Sequence, residues 1–352
     1  MTAFNKGEWS ELYTICYILH NGKMQVANDE LMPTNQYVKV LKIFMKSVFG
    51  DSAYNIGSKK IFLINSELPV GDFQIETQDV QSLLDGIKSS SGRSFSLESG
   101  ERIMNSLQVE SFKANSYEKA DINTLSIMPQ EEIPRKVGFS VKSQIGGLPT
   151  LLNASKSTNF TYQVVNFHGN DSDINSINDR QGKIKKRIET IKRNGGKFVF
   201  HGIDCDSFNQ NLRLIDSQYP KILAKMLLCY FSSSRVSSMQ EIIRIVSLNH
   251  DISMTEAEIK QKTKEFLNKT ALGMIPTKAW DGSSLGGGCV FVKDDGNVLC
   301  YTLYDEDHFN DYLLKNTKFD TASTSRHKFG TIFTANNGKK YFKLNLDIRF
   351  TQ

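Results

Sequence analysis

The chain has 352 residues, 39% of them hydrophobic, which is enough apolar material for one large domain or two modest ones and excludes a disordered chain. Forty-three Lys and Arg against thirty-eight Asp and Glu leave a formal charge of +5, compatible with a polyanionic partner but not diagnostic of one. The five cysteines are odd in number and never form a CxxC pair, which excludes a disulfide framework and a zinc ribbon and suits a reducing cytoplasm. The start shows no basic-then-apolar leader, and no run approaches the ~18 apolar residues of a membrane span.

In chain order, Trp9, Leu12, Tyr13, Cys16 and Leu19 repeat at three and four residue steps and predict a helix from Gly7 to Leu19, stopped by Asn21-Gly22. Helical patterns follow at Val38 to Val48, Asp79 to Ile87 and Glu98 to Leu107, with a strand at Lys60 to Ile64 and a loop at Ser89 to Gly92. From Ile122 on, Asp121 to Ile127 alternates polar with apolar as a strand should, and Val137 to Ser143 reads as the next strand beyond the turn at Pro129 to Pro134. Asp121 and Lys142 are therefore expected on adjacent antiparallel strands.

A basic helix is expected over Asp179 to Arg193. Ile184, Ile188 and Ile191 form its apolar stripe, and Lys183, Lys185, Lys186, Arg187, Lys192 and Arg193 make either a solvated face or a phosphate-tracking one. Lys197 to Ile203 reads as a buried strand, with His201 and Cys205 as a strand-end histidine and a buried thiol rather than metal ligands. Helices follow at Pro220 to Phe231, Met239 to Val246 and Thr255 to Leu267, the last opened by a Thr255/Glu258 capping box. From Gly286 short strands take over at Cys289 to Val292, Val298 to Leu303, Thr331 to Phe333 and Tyr341 to Ile348. Between Lys315 and Arg349 eight basic residues face two aspartates, so the basic charge concentrates here.

One carboxylate and one lysine at neighbouring strand ends suit metal-dependent phosphodiester hydrolysis, although a strand lysine is also an ordinary solvated position and an Asp before a strand an ordinary turn residue. The surrounding text adds to this. Lys6-Gly7-Glu8-Trp9-Ser10-Glu11, then Gly138-Phe139-Ser140-Val141-Lys142-Ser143 followed by Thr150-Leu151-Leu152-Asn153-Ala154-Ser155 and Thr158-Asn159-Phe160, and finally Ser325-Arg326-His327-Lys328-Phe329-Gly330, together resemble type II restriction endonucleases of the HpaII family, which cleave short CCGG-type sites.

The resemblance covers most of the chain and implies a PD-(D/E)xK nuclease fold, an α/β (α+β mixed) core with a central mixed sheet flanked by helices, and a β-rich C-terminal region. Ala120-Asp121 stands where Pro-Asp would be and Ser140-Val141-Lys142 where the acidic-x-Lys triplet would be, so Ser140 departs from the motif. A hydroxyl is a poor Mg²⁺ ligand beside a carboxylate, and Glu8 or Glu11 of the first helix would supply the missing acid. Gln144 would orient the attacking water or bind substrate.

Asn153, Ser155, Lys156 and Asn159 are expected near the cut. Ser325, Arg326, His327 and Lys328 suit base reading and phosphate contact equally. The implied organisation is a catalytic part over 1–205, a helical segment over 206–285 and a basic recognition part over 286–352. The implied cofactor is Mg²⁺, and the implied partners are double-stranded DNA, a cognate methyltransferase and a second copy of the chain in a homodimer. A DNA-binding protein with an inactive core, motivated by Ser140, and a nicking or repair nuclease are the other readings.

Overall fold

The structure is a computed structural model and describes residues 3–109, 112, 120–179, 184–233 and 238–351. Helix α1 (Lys6–Asn21) opens the chain, followed by strands β1 (Lys23–Ala27), β2 (Pro33–Ser47), β3 (Gly50–Asn55), β4 (Lys60–Leu63) and β5 (Pro69–Asp72), and helices α2 (Thr77–Ser89) and α3 (Glu98–Ser106). Then come β6 (Ile122–Ile127), β7 (Arg135–Ser143), β8 (Thr150–Leu152), β9 (Asn159–Val165), α4 (Asp171–Asp179), α5 (Ile184–Arg193) and β10 (Lys197–Ile203). Helices α6 (Asp206–Ile215), α7 (Tyr219–Ser232), α8 (Met239–Ser247) and α9 (Glu256–Ala271) precede β11 (Gly288–Val292) and β12 (Val298–Thr302). The chain closes with α10 (Glu306–Asn316), β13 (Thr317–Phe319), α11 (Thr324–His327), β14 (Ile332–Thr334), β15 (Lys340–Asn345) and β16 (Ile348–Phe350).

A nine-stranded mixed sheet, β1-β12-β11-β7-β6-β2-β3-β4-β5, forms the centre, and β1 pairs with β2 as well as β12, so the sheet curls back on itself. The mixed α/β class expected from the sequence is what the chain adopts. One face of this sheet shares a core with α1, α2 and α3, in which Trp9, Ile43, Tyr54, Ile61, Phe139, Val290 and Cys300 are buried. The other face of β11 and β12 presents Cys289, Phe291, Leu299 and Tyr301 to a second core, built from α5 to α10 with a four-stranded sheet β10-β9-β15-β14 and a three-stranded sheet β13-β16-β8. No described helix is long and apolar enough to cross a membrane.

Two expectations change. Val38 to Val48 is strand, not helix: Val38 and Val40 alternate inward, and a bulge between Val40 and Lys42 moves the next buried residue to Ile43, producing the three-residue spacing of a helix. Lys197 to Ile203 is a strand but not a buried one: β10 is the edge strand of its sheet and none of its residues is buried. In the C-terminal part, β11 and β12 complete the large sheet beside β7 while β13 to β16 join the smaller ones. The glycines before β11 allow that approach, since a Cβ on Gly287 would lie 2.6 Å from the Gly138 carbonyl oxygen. The expected basic helix begins in its described part at Ile184, with Ile184, Ile188 and Ile191 buried as expected, while Lys183 lies outside the described residues.

Candidate active site

Strands β6 and β7 pair antiparallel with Ile122 opposite Phe139, so Asp121, at the head of β6, stands beside Ser140. Alternation along β7 sends Phe139, Val141 and Ser143 to the α1 side and Ser140 and Lys142 to the other. Ser10 of α1 confirms the sides by donating to Ser143 Oγ at 2.8 Å. The Asp121 main-chain N–H donates to the Phe139 carbonyl at 2.9 Å, and its carboxylate Oδ2 accepts from the Val141 N–H at 2.6 Å and from Ser140 Oγ at 3.1 Å.

Asp121, Ser140 and Lys142 form one wall of a cavity of about 380 Å³, with Leu152, Asn153, Ser155 and Ser157 beside them and the end of α9 and its following turn, Thr270 to Thr277, opposite. Lys142 and Asn153 also border a neighbouring cavity of about 470 Å³ that reaches Lys6 and Gly146. Sequence reasoning found the acid, the lysine and the Asn153–Ser155 turn but missed Ser157 and the Thr270–Thr277 wall, which carry no motif and arrive by chain folding alone.

The other expected residues separate by role. Gln144 lies just past β7, its N–H on the Val292 carbonyl at 2.8 Å, and is not among the lining residues of either cavity. Glu8 closes the α1 cap, its carboxylate accepting from the Asn5 N–H at 2.8 Å while the Asn5 side chain accepts from the Glu8 N–H at 3.0 Å. It is two residues from both Lys6 and Ser10, about 200° round the helix from the side facing β7. Glu11 also sits on α1, behind the sheet from Ser140 and Lys142, and neither glutamate borders the cavities.

Asn159 is 2% exposed and acts as an internal clasp. Its amide donates to the His327 carbonyl at 3.0 Å and accepts from Asn345 Nδ2 at 2.7 Å, and Asn345 also donates to the Ser155 carbonyl at 2.6 Å. This clasp brings the two expected DNA-contacting segments together. Asn153 and Lys156 are exposed on one; Ser325, Arg326 and Lys328 are exposed and His327 half-buried on the other, the short helix α11 capped by Ser323. Asp347, 4% exposed, lies beneath them and accepts the Ala154 N–H; burial raises its pKa above the usual carboxylate value. Arg187, by contrast, spends its guanidinium on the carbonyls of Gly330 and Asn178, at 2.6 and 2.7 Å.

Cys289 stands opposite Ser140 across the β7–β11 pairing. Burial pushes its thiol up to about 12, which keeps it protonated and unsuited to nucleophilic attack. Among the described residues no three Asp, Glu, His or Cys side chains converge, and Asp121 is the one carboxylate lining its cavity. This donor set does not make a closed protein cage. It fits a hard divalent ion held by one carboxylate together with water and substrate phosphate oxygens.

A carboxylate held rigidly to the strand that carries a lysine thus faces an open cavity beside exposed polar turns. Comparison with known proteins defines the class: the chain is a type II restriction endonuclease, an enzyme that cleaves double-stranded DNA at specific sites. It belongs to the HpaII restriction endonuclease family, whose model matches residues 5–350. It is 38% identical over 364 residues to the type II restriction enzyme HpaII of Haemophilus parainfluenzae, an alignment spanning 99% of this chain and 100% of that protein. No solved structure matches it.

Proposed function

We propose that the chain is a Mg²⁺-dependent endonuclease of the PD-(D/E)xK type that cuts both strands of a short palindromic CCGG-like sequence, leaving a 5′-phosphate and a 3′-hydroxyl. The observation that carries the reading is the placement of Asp121 and Lys142 on one wall of one cavity, on adjacent strands. Asp121 would hold the ion jointly with the substrate phosphate. The ion supplies neutralisation of charge developing on the phosphate.

The protein's own groups do the rest. The Val141 N–H and the Ser140 hydroxyl fix the Asp121 carboxylate, so its orientation is set before substrate arrives. The Lys142 ammonium, on the same wall, donates hydrogen bonds to the attacking water and to the equatorial phosphate oxygens. Asn153, Ser155 and Lys156 meet the backbone beside the cut, and Arg326 and Lys328 reach from α11 and its end to guanine edges or phosphates. A paired chain related by a two-fold axis would cut the opposite strand, and a methyltransferase modifying the same sequence would protect the host DNA in the cytoplasm.

The test is incubation of the purified protein with unmethylated phage DNA in Mg²⁺ or in EDTA, with the ends mapped. Discrete Mg²⁺-dependent fragments ending at CCGG support the reading. A smear contradicts the site specificity, and intact DNA with retained binding moves the assignment to the inactive-core reading.

A further inference from the structure

We infer that the lysine-bearing face of β7, β6, β2, β3 and β4 is a phosphate-binding platform for the duplex, extending from the catalytic wall. This rests on the nuclease reading above. The pairing register sets Lys136 opposite Leu125, Leu125 opposite Lys42, Lys42 opposite Asn55 and Asn55 opposite Lys60, one unbroken row across five strands. The residues next along these strands, Val137, Thr124, Ile43, Tyr54 and Ile61, turn the other way, towards the α1 core. The row thus shares its face with Ser140 and Lys142.

Two contacts fix this orientation independently. Lys136 Nζ lies 5.1 Å from the centre of the Phe44 ring, and a Cβ on Gly138 would come within 3.2 Å of Asn123 Oδ1, which places β7, β6 and β2 side chains together on that face. The second core covers the face at β11 and β12, where Cys289, Phe291, Leu299 and Tyr301 are buried. On the row itself Lys60 and Lys136 are exposed and Lys42 and Leu125 half-exposed.

Charge and scale select the occupant. Lys42, Lys60 and Lys136 make no ion pair or hydrogen bond among the described residues. They recur on every second strand, about 10 Å apart, and Lys136 lies about 20 Å along β7 from Lys142, the length of about six base pairs. A row of unneutralised ammonium groups at that spacing, leading from the hydrolytic lysine, matches the phosphates of a duplex whose scissile bond lies at Asp121. An acidic protein surface is the other occupant such a row could take.

The experiment is fluorescence anisotropy of a labelled duplex containing the cleavage site, in Ca²⁺, across a salt series. It compares the wild-type protein, the Lys42→Ala/Lys60→Ala/Lys136→Ala variant and a Lys185→Ala/Lys192→Ala variant on α5, with thermal melts to check folding. The triple variant should weaken specific and non-specific duplexes alike and flatten the log–log salt slope by about 2.7, or ~0.9 per released phosphate contact, with the α5 pair leaving the slope in place. An unchanged slope in the triple variant, or an equal fall in the α5 pair, overturns the platform while site-specific cleavage by the wild type keeps the nuclease reading. A wild type that neither binds nor cuts duplex DNA overturns both.

Discussion

Asp121 accepts the main-chain N–H of Val141 at 2.6 Å, which ties the acid at the head of β6 to the residue between Ser140 and Lys142. The carboxylate and the lysine are thereby held by one rigid pairing of strands rather than by a loop. An Asp121→Asn protein keeps an oxygen to accept that bond but loses the charge. Its unfolding free energy should stay within about 1 kcal/mol of wild type while cleavage falls at least ~10²-fold. Urea melts beside cleavage time courses check this; a large stability loss would make Asp121 a structural residue first.

In the proposed PD-(D/E)xK reading Ser140 takes the place of an acid, 3.1 Å from the Asp121 carboxylate. Replacing it by Asp adds an anionic oxygen at that position. The variant should need less divalent ion for half-maximal cleavage and should be less stable than wild type in EDTA, where two adjacent carboxylates repel. An unchanged metal midpoint would show that the ion is not held at this wall.

Asn159 is a buried clasp that joins the His327 and Asn345 segments. Asn159→Ala removes the bonds to His327 and Asn345 from a buried site and should cost about 1–3 kcal/mol by urea denaturation. If its amide serves only as this clasp, the surviving activity should keep its cleavage pattern. Relaxed cleavage at one base position with unchanged stability would contradict that role.

Asp347 is buried under the Asn153–Ser155 turn with its pKa raised, first by burial. The folded chain therefore binds this proton more tightly than the unfolded chain. The associated stability is present below the unfolded value of about 3.9 and is lost as pH rises through the folded pKa. Asp347→Asn removes that titration, so the stability difference, variant minus wild type, should grow in the variant's favour as pH rises through the window. A difference that is flat with pH would contradict it.

Much of this was legible in the sequence. Asp121 and Val137–Ser143 announced two adjacent strands because their alternation is undisturbed, and the α9 cap was written in Thr255/Glu258, whereas the Asn5/Glu8 cap of α1 went unread and Glu8 was taken for a metal ligand. β2 was misread because its bulge at Leu41 imitates a helical step. That error hid Lys42, and with it the row that Lys136 and Lys60 complete, since a face shared by distant strands exists only once the register is known. Asn159 was read as a contact residue because a short polar segment looks the same whether its amide meets solvent or a buried Asn345. The Thr270–Thr277 wall had no local signal at all.

The most direct measurement compares wild type with Lys142→Ala, following cleavage of site-containing DNA in Mg²⁺ and binding of the same duplex in Ca²⁺. If Lys142 acts on the reacting phosphate, cleavage should fall by ~10³-fold or more with the dissociation constant changed only a few-fold. Near-normal cleavage by the pure, folded variant would remove Lys142 from the reaction and the active site from this wall.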